Sequence, residues 1–185
     1  MENIKIYPLT SWRWADFETL FESNGNCSNC WCTWWLLANK EFNTLGKDGR
    51  KETMRTVVHE GNEPGLIAYV DDLPAGWVAL APRESYIRLK TSRKLAAVDP
   101  LPVWVVSCFF IHRKYRRQQM MKDLIEAACQ YARSKNAKWI EAFPIRLRGK
   151  TGSAELYTGV ESVFIEQGFK VVIEREGRLI VRKML

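Results

Sequence analysis

Between Arg113 and Lys122 the chain carries the cations Arg113, Lys114, Arg116, Arg117 and Lys122 and no acidic side chain. They follow the apolar run VWVVSCFFI (103–111) and precede residues with helical spacing. A helix that starts after a buried strand presents unpaired N–H groups and the positive end of its dipole, a seat for phosphate. DNA-reading helices instead carry basic and polar groups along one or two exposed turns. Here the sequence becomes acidic and apolar after Lys122, with Asp123 and Glu126. The charge therefore belongs to the turn and the first helical turn, and it suits a compact phosphate ligand better than a duplex.

A second group of chemically capable residues is CSNCWCTWW (27–35), in which Cys27, Cys30 and Cys32 have C-x-x-C-x-C spacing. A structural zinc needs four good ligands. No second CxxC exists, and His59 and His112 stand isolated, so no metal is expected. The simplest reading is small thiols packed beside tryptophans. Glu141 is the carboxylate that stands inside a clearly apolar strand, KWIEAFPI. Burial disfavours its charged form and would suit it to proton transfer; an ion-paired or edge glutamate is the alternative.

These groups need elements to hold them. The chain, 185 residues long, fits one domain (1–185) with a hydrophobic core. Its 46% hydrophobic and 26% charged residues are ordinary for a globular protein. No apolar run approaches the roughly 20 residues that cross a bilayer. MENIKIYPLT lacks a basic region followed by an apolar stretch, so no signal peptide is read there and a cytoplasmic location is expected. Five cysteines in such a chain suggest reduced thiols. The net charge of +7 favours anionic partners, and a phosphorylated cofactor satisfies it as well as DNA does.

IKIYPL (4–9) alternates and predicts a first strand. SWRWADFETLFES predicts a helix with Ser11 placed as its cap, and a second helix is expected from about Lys51 to His59 after the polar NTLGKDGRKE. GLIAYVDDLPAGWVALAP (65–82) predicts two strands about a turn near Asp71–Pro74. Residues 83–102 form a long basic connection, a lid or a solvated loop, with a short helix at SRKLAAV (92–98). The run 103–111, apolar on both faces, predicts a central strand. A helix stripe of Met121, Leu124, Ile125, Ala128 and Ala132 follows from Gln118 to about Ser134. KWIEAFPI predicts another buried strand, SAELYTGVESVFIEQG a helix ended by Gly168, and the last residues a hairpin about Glu176–Gly177. The order is β α α β β β α β α β β, a mixed α/β chain.

This order resembles the GNAT superfamily of N-acetyltransferases. FFIHRKYRRQQMMKDLI resembles its pyrophosphate-binding segment, an apolar strand followed by (Q/R)-x-x-G-x-(G/A) opening a helix. VFIEQGFKVV resembles its C-terminal signature, a helix ending in Gly-Phe. The resemblance implies a mostly antiparallel central sheet flanked by helices. It implies transfer of acetyl from acetyl-CoA to a primary amine of an unidentified acceptor by direct attack. Arg116 falls on the (Q/R) position, and Arg116, Arg117, Gln118, Gln119, Met120 and Met121 become the phosphate-binding turn. A bulge near Phe109, Phe110 and Ile111 would expose amides to the thioester carbonyl.

Three departures and additions follow from the same resemblance. Gln119 and Met121 stand where the family has small residues, usually glycine. Phe164 stands where many members carry a tyrosine that protonates the departing thiolate, and phenylalanine has no proton to give. Tyr157 and Cys108 are then candidate donors, and Glu141 a candidate base for the amine. The segment between the first two helices borders the acceptor in the family, which would make Trp31, Trp34 and Trp35 an aromatic wall for a cationic or flat acceptor, or else plain core. The expected partners are acetyl-CoA and the amine, with a homodimer allowed and neither nucleic acid nor membrane expected. The alternative function is an acyl-CoA-binding or sensing domain that has lost turnover.

Overall fold

The doubly apolar run 103–111 becomes the middle of a seven-stranded sheet in the computed structural model, which describes residues 4–22, 29–147 and 156–185. The strands are β1 (Ile4–Pro8), β2 (Gly65–Val70), β3 (Leu73–Pro82), β4 (Trp104–Ile111), β5 (Trp139–Ala142), β6 (Lys170–Arg175) and β7 (Arg178–Met184). Their order is β1-β2-β3-β4-β5-β7-β6. β4 and β5 run parallel, and the other pairings are antiparallel. This is the mixed, mostly antiparallel sheet that the sequence led us to expect.

The helices are α1 (Trp14–Glu22), α2 (Asn39–His59), α3 (Ile87–Thr91), α4 (Met120–Ser134) and α5 (Glu161–Glu166). On one face of the sheet, α4 buries Met120, Leu124, Ile125, Ala128, Cys129 and Ala132 against β2, β3 and β4, with Phe164 of α5 in the same core. Gly76 of β3 lets α4 start this close to the sheet, because a Cβ there would meet Met120 Sδ at 2.7 Å. On the other face, Phe17, Phe21, Met54 and Val58 of α1 and α2 cover Ile67, Trp77 and Phe110. The connection 83–102 covers the remainder, over Val105, Phe143 and Ile180.

Both predicted hairpins turn on pairs of left-handed residues, Asp71 with Asp72 and Glu176 with Gly177, whose twist matches the flanking strands. Four local expectations are corrected. Ser11 makes no side-chain cap: residues Ser11–Arg13 form a 3-10 turn before α1. The second helix starts at Asn39, and the polar break shrinks to Gly46, at φ 61°. The short helix in the connection lies at Ile87–Thr91, not at 92–98, because Leu95 is drawn into the core and its carbonyl accepts from Arg83. The helix expected across 153–168 is split by Gly159 into a 3-10 turn, Leu156–Thr158, and α5; its first residues, 153–155, lie outside the described residues. Among the described residues no helix is long and apolar enough to cross a membrane.

Candidate active site

The basic segment is held by one buried side chain. Tyr115 sits in the α4-side core and closes a 3-10 turn, Arg113–Tyr115, so the residues around it stand out from the protein. Arg113, Lys114, Arg116, Arg117, Gln118 and Gln119 are exposed, and Met120 is buried. Arg116 Nε donates to the Ile111 carbonyl at 2.9 Å, tying the turn to the end of β4. Lys122 pairs with Glu166 at 2.6 Å. Among the described residues no carboxylate pairs with Arg113, Lys114, Arg116 or Arg117, and none accepts from the amides of Arg116 through Met121.

Gln119 explains how the turn manages without glycine. It is the residue before α4 and lies at φ 67°, the left-handed region that glycine adopts most readily. Arg117 is also left-handed, at φ 62°. Met121 is different: its backbone is helical and its side chain packs against the core, so no glycine-like conformation is needed there.

β4 supplies the second part. Ala79 of β3 faces Cys108, but its neighbour Leu80 faces Val106, so Ser107 is an extra residue in β4. The side chains record the shift: Val106 and Phe109, three residues apart, share the α4-side core, which an unbroken strand would not allow. The expected bulge thus lies at Ser107, before the Phe109–Ile111 stretch. Beside it β4 and β5 part, since their pairing ends at Val106 with Ala142. Beyond that point the β5-side edge of β4 has no strand partner among the described residues. Phe109 and Phe110 themselves are core side chains on opposite faces, so this stretch can meet a ligand mainly through its backbone.

Over the bulge lies the turn Leu156–Thr158. Gly159 closes it at φ 86°, and a Cβ there would stand 2.7 Å from the Phe164 ring and 3.1 Å from Phe109. Phe164 is wholly buried beneath it. Tyr157 is half-buried in the same turn, and burial raises its pKa. Arg178 opposes that rise, Cys108 and Cys30 add to it, and Arg88 opposes it. Tyr157 therefore shares a neighbourhood with the thiol of the bulge, a thiol of the 27–35 segment and two arginines. Tyr86 is fully buried close by, its pKa also raised by burial. A hydrogen bond between the Tyr86 and Ser107 side chains opposes that rise, and the buried Thr158 hydroxyl has no hydrogen-bond partner among the described residues.

Glu141 is not available as a base. Its Oε1 accepts from Nε and Nη2 of Arg182 at 2.9 and 2.6 Å, and its Oε2 from Arg83 at 3.1 Å. Arg182 also grips Asp99 at 2.6 Å, and Arg175 donates to the Ala96 carbonyl. These arginines strap the connection 83–102 to the sheet, which removes the lid reading for its second half.

The aromatic wall is also corrected. Trp31 is fully buried, stacked with Trp14 and Phe21 and tilted against Phe17, with Lys51 over its ring. Trp34 carries the Arg88 guanidinium over its ring at 3.6 Å. Trp35 alone joins the Tyr86 and Tyr157 side, against Phe143. Cys32 is buried and accepts from Trp77 Nε1 at 3.1 Å. Cys27 lies outside the described residues, among which no three metal-ligating side chains converge. Arg88, Tyr86 and Ser107 were not picked out from the sequence. Ser107 carried a signal, a polar residue interrupting VWVV and CFFI; Arg88 carried none.

The family model described as acetyltransferase (GNAT) family matches residues 9–159. The PaiA N-acetyltransferase from Thermoplasma acidophilum, solved with coenzyme A, superposes with a TM-score of 0.57 at 15% identity over 99% of each chain. A GNAT acetyltransferase from Listeria monocytogenes gives 0.60 at 10% identity over 98% of this chain and 95% of that one. The NatC complex bound to Gag peptide and CoA gives 0.55 at 12% identity over 99% of both. At these identities the likeness establishes the fold. No curated protein matches the chain.

Proposed function

The chain belongs to the acetyltransferase (GNAT) family, and from that premise we propose that its residues 1–185 act as one domain that moves acetyl from acetyl-CoA to a primary amine. The observation that carries this reading is the run of unmatched amides from Arg116 to Met121, set beside the open edge of β4. The pyrophosphate of acetyl-CoA sits on those amides and on the α4 N-terminus, with Arg113, Lys114, Arg116 and Arg117 adding charge. Coenzyme A in the PaiA and NatC structures supports the choice of donor.

In the transfer step the amine nitrogen attacks the thioester carbonyl carbon. The C–N bond forms, the C–S bond breaks, and the amine proton passes to water. Backbone N–H groups of β4 from the bulge to Ile111 receive the charge that develops on the carbonyl oxygen. Tyr157 hydrogen-bonds the departing sulfur. Its raised pKa keeps the phenol protonated at neutral pH, so it serves as a donor. A thiol titrates near about 8.5, below such a phenol, so Tyr157 steadies the thiolate more than it protonates it.

Phe164, buried where a tyrosine is common in the family, favours a second reading: an acyl-CoA-binding domain without turnover. Two measurements test both. Calorimetry should give acetyl-CoA binding with a Kd of roughly micromolar order, about −8 kcal/mol, weakened by added salt. An assay of CoA release over a panel of amines should then find turnover. Binding without release for any amine would leave the second reading; no binding at millimolar CoA would remove both.

A further inference from the structure

Resting on the acyl-transfer reading above, we propose that the acceptor is a small amine that also bears a carboxylate, an α-amino acid in the simplest case, and that Arg88 holds that carboxylate beside Tyr157.

The inference starts from the pairing of arginines. Arg83 and Arg182 share Glu141 and Asp99, and Arg146 pairs with Glu161 and Glu174. Arg88 has no carboxylate among the described residues. Its Nε donates to the Trp34 carbonyl and its Nη1 to Asn39 Oδ1, both neutral acceptors. Its Nη2 is buried and has no partner among the described residues. With Nε and Nη1 committed to neutral acceptors, Nη2 is the nitrogen left to give an anion a charge-assisted hydrogen bond. Burial lowers the Arg88 pKa, and no described carboxylate offsets that cost.

Arg178 adds to this. It too acts on Tyr157 and forms no ion pair among the described residues. The surroundings of Tyr157 are thus positive with no described counter-charge. A cationic acceptor group is disfavoured on the same grounds: the ring face of Trp34 is already covered by Arg88 at 3.6 Å. Acetyl transfer needs the acceptor nitrogen uncharged, and nearby arginines lower the pKa of an ammonium. The site then requires no carboxylate base, which fits Glu141 being fully committed elsewhere. The carboxylate of the acceptor supplies the attraction, and the arginines keep its nitrogen reactive.

The test is CoA release at saturating acetyl-CoA from each of the common α-amino acids, compared with its carboxamide. At least one amino acid should exceed its carboxamide in kcat/KM by about tenfold or more. Arg88→Gln should raise the KM for that amino acid about tenfold, erase the preference over the carboxamide, and leave the KM for acetyl-CoA within about twofold. Arg88→Lys should recover part of the preference. Carboxamides that match or exceed every amino acid would overturn the proposal, as would Arg88→Gln slowing both forms by one factor. If no amine releases CoA, the transfer reading has failed, and the carboxylate seat is judged by melting temperature with CoA present. An amino acid that stabilises the wild type but not Arg88→Gln keeps the seat; no stabilisation by any of them removes it. Should Arg88→Gln not fold, the wild-type comparison of acid with amide decides alone.

Discussion

The α4 turn and the Glu141 cluster both gather arginines at the middle of the sheet, and they use them in opposite ways. Around Glu141, Arg83, Arg182 and Asp99 match every charge with another, and the group lies largely out of solvent. At the turn, Arg113, Lys114, Arg116 and Arg117 are exposed and meet no described carboxylate, and the amides beneath them meet no described acceptor. Matched charge is spent inside the protein and fixes where the chain goes. Unmatched donors on a fixed backbone are left for something else. That difference, rather than the density of charge, separates the structural cluster from the binding one.

The largest expected effect tests the matched side. Glu141→Gln leaves two guanidiniums without their shared counter-charge, a change that typically costs about 3–5 kcal/mol. Thermal melting should fall by roughly 10 °C. The folded fraction should keep its kcat within about threefold, with an unshifted pH–rate profile. A melting point that stays put while activity drops and returns at high pH would restore Glu141 as a base. The same cluster predicts an acid response. The hydrogen bond from Arg182 holds the Asp99 carboxyl below its usual value of 3.8. Its contribution is present above about pH 3.8 and lost as the pH falls through the lowered value. Asp99→Asn should flatten the fall of melting temperature in that window.

The second effect concerns the joint between the two regions. Gly159 sits at φ 86°, and its missing Cβ leaves room for Phe164 and Phe109. Gly159→Ala adds both a strained backbone and a clash, together about 2 kcal/mol. Activity should drop more than stability, because the turn that carries Tyr157 must shift. Equal melting points and equal kcat would show that this turn is not positioned by its packing.

How much of this was readable beforehand follows from range. The strands, the α4 stripe and the hairpin turns at Asp71–Asp72 and Glu176–Gly177 are written in local periodicity and turn chemistry, and all appear. The cations of the turn were legible because they are contiguous. Glu141 was visible as a carboxylate in an apolar strand, but its partners, Arg83 and Arg182, lie far away in sequence and only the strand pairing brings Arg182 opposite it. Trp31, Trp34 and Trp35 looked equivalent as neighbours. Left-handed backbone at Trp31 and Cys32 sends the three side chains to different places, and nothing in a run of tryptophans announces that.

A smaller effect tests the donor near the bulge. Tyr157→Phe removes the phenol but not the ring, and a thiolate is a tolerable leaving group without it. The loss in kcat should stay within about tenfold, or 1.4 kcal/mol, and should shrink as the pH rises above the thiol range near about 8.5. Calorimetric affinity for acetyl-CoA should not change. A loss of about a thousandfold at every pH would make the proton transfer obligatory and raise Tyr157 from helper to necessity.

The smallest effect bears on the unmatched side, and its smallness is the point. Gln119→Gly replaces a residue that carries left-handed strain, about 1 kcal/mol, with one that does not. The gain is offset by the greater freedom of glycine in the unfolded chain, about 0.5–1 kcal/mol. Melting temperature should therefore move by no more than about 3 °C. If the backbone holds the phosphates, losing this side chain should leave the Kd for acetyl-CoA within about threefold, or tighten it by easing access to the amides. Gln119→Ala keeps the left-handed strain without the amide side chain; it should match the wild type in affinity and melt no higher. Calorimetry that found binding weakened about tenfold in both variants would mean that the Gln119 side chain itself grips the ligand. The turn would then work by matched side chains after all, as the Glu141 cluster does, and the contrast between the two regions would fall.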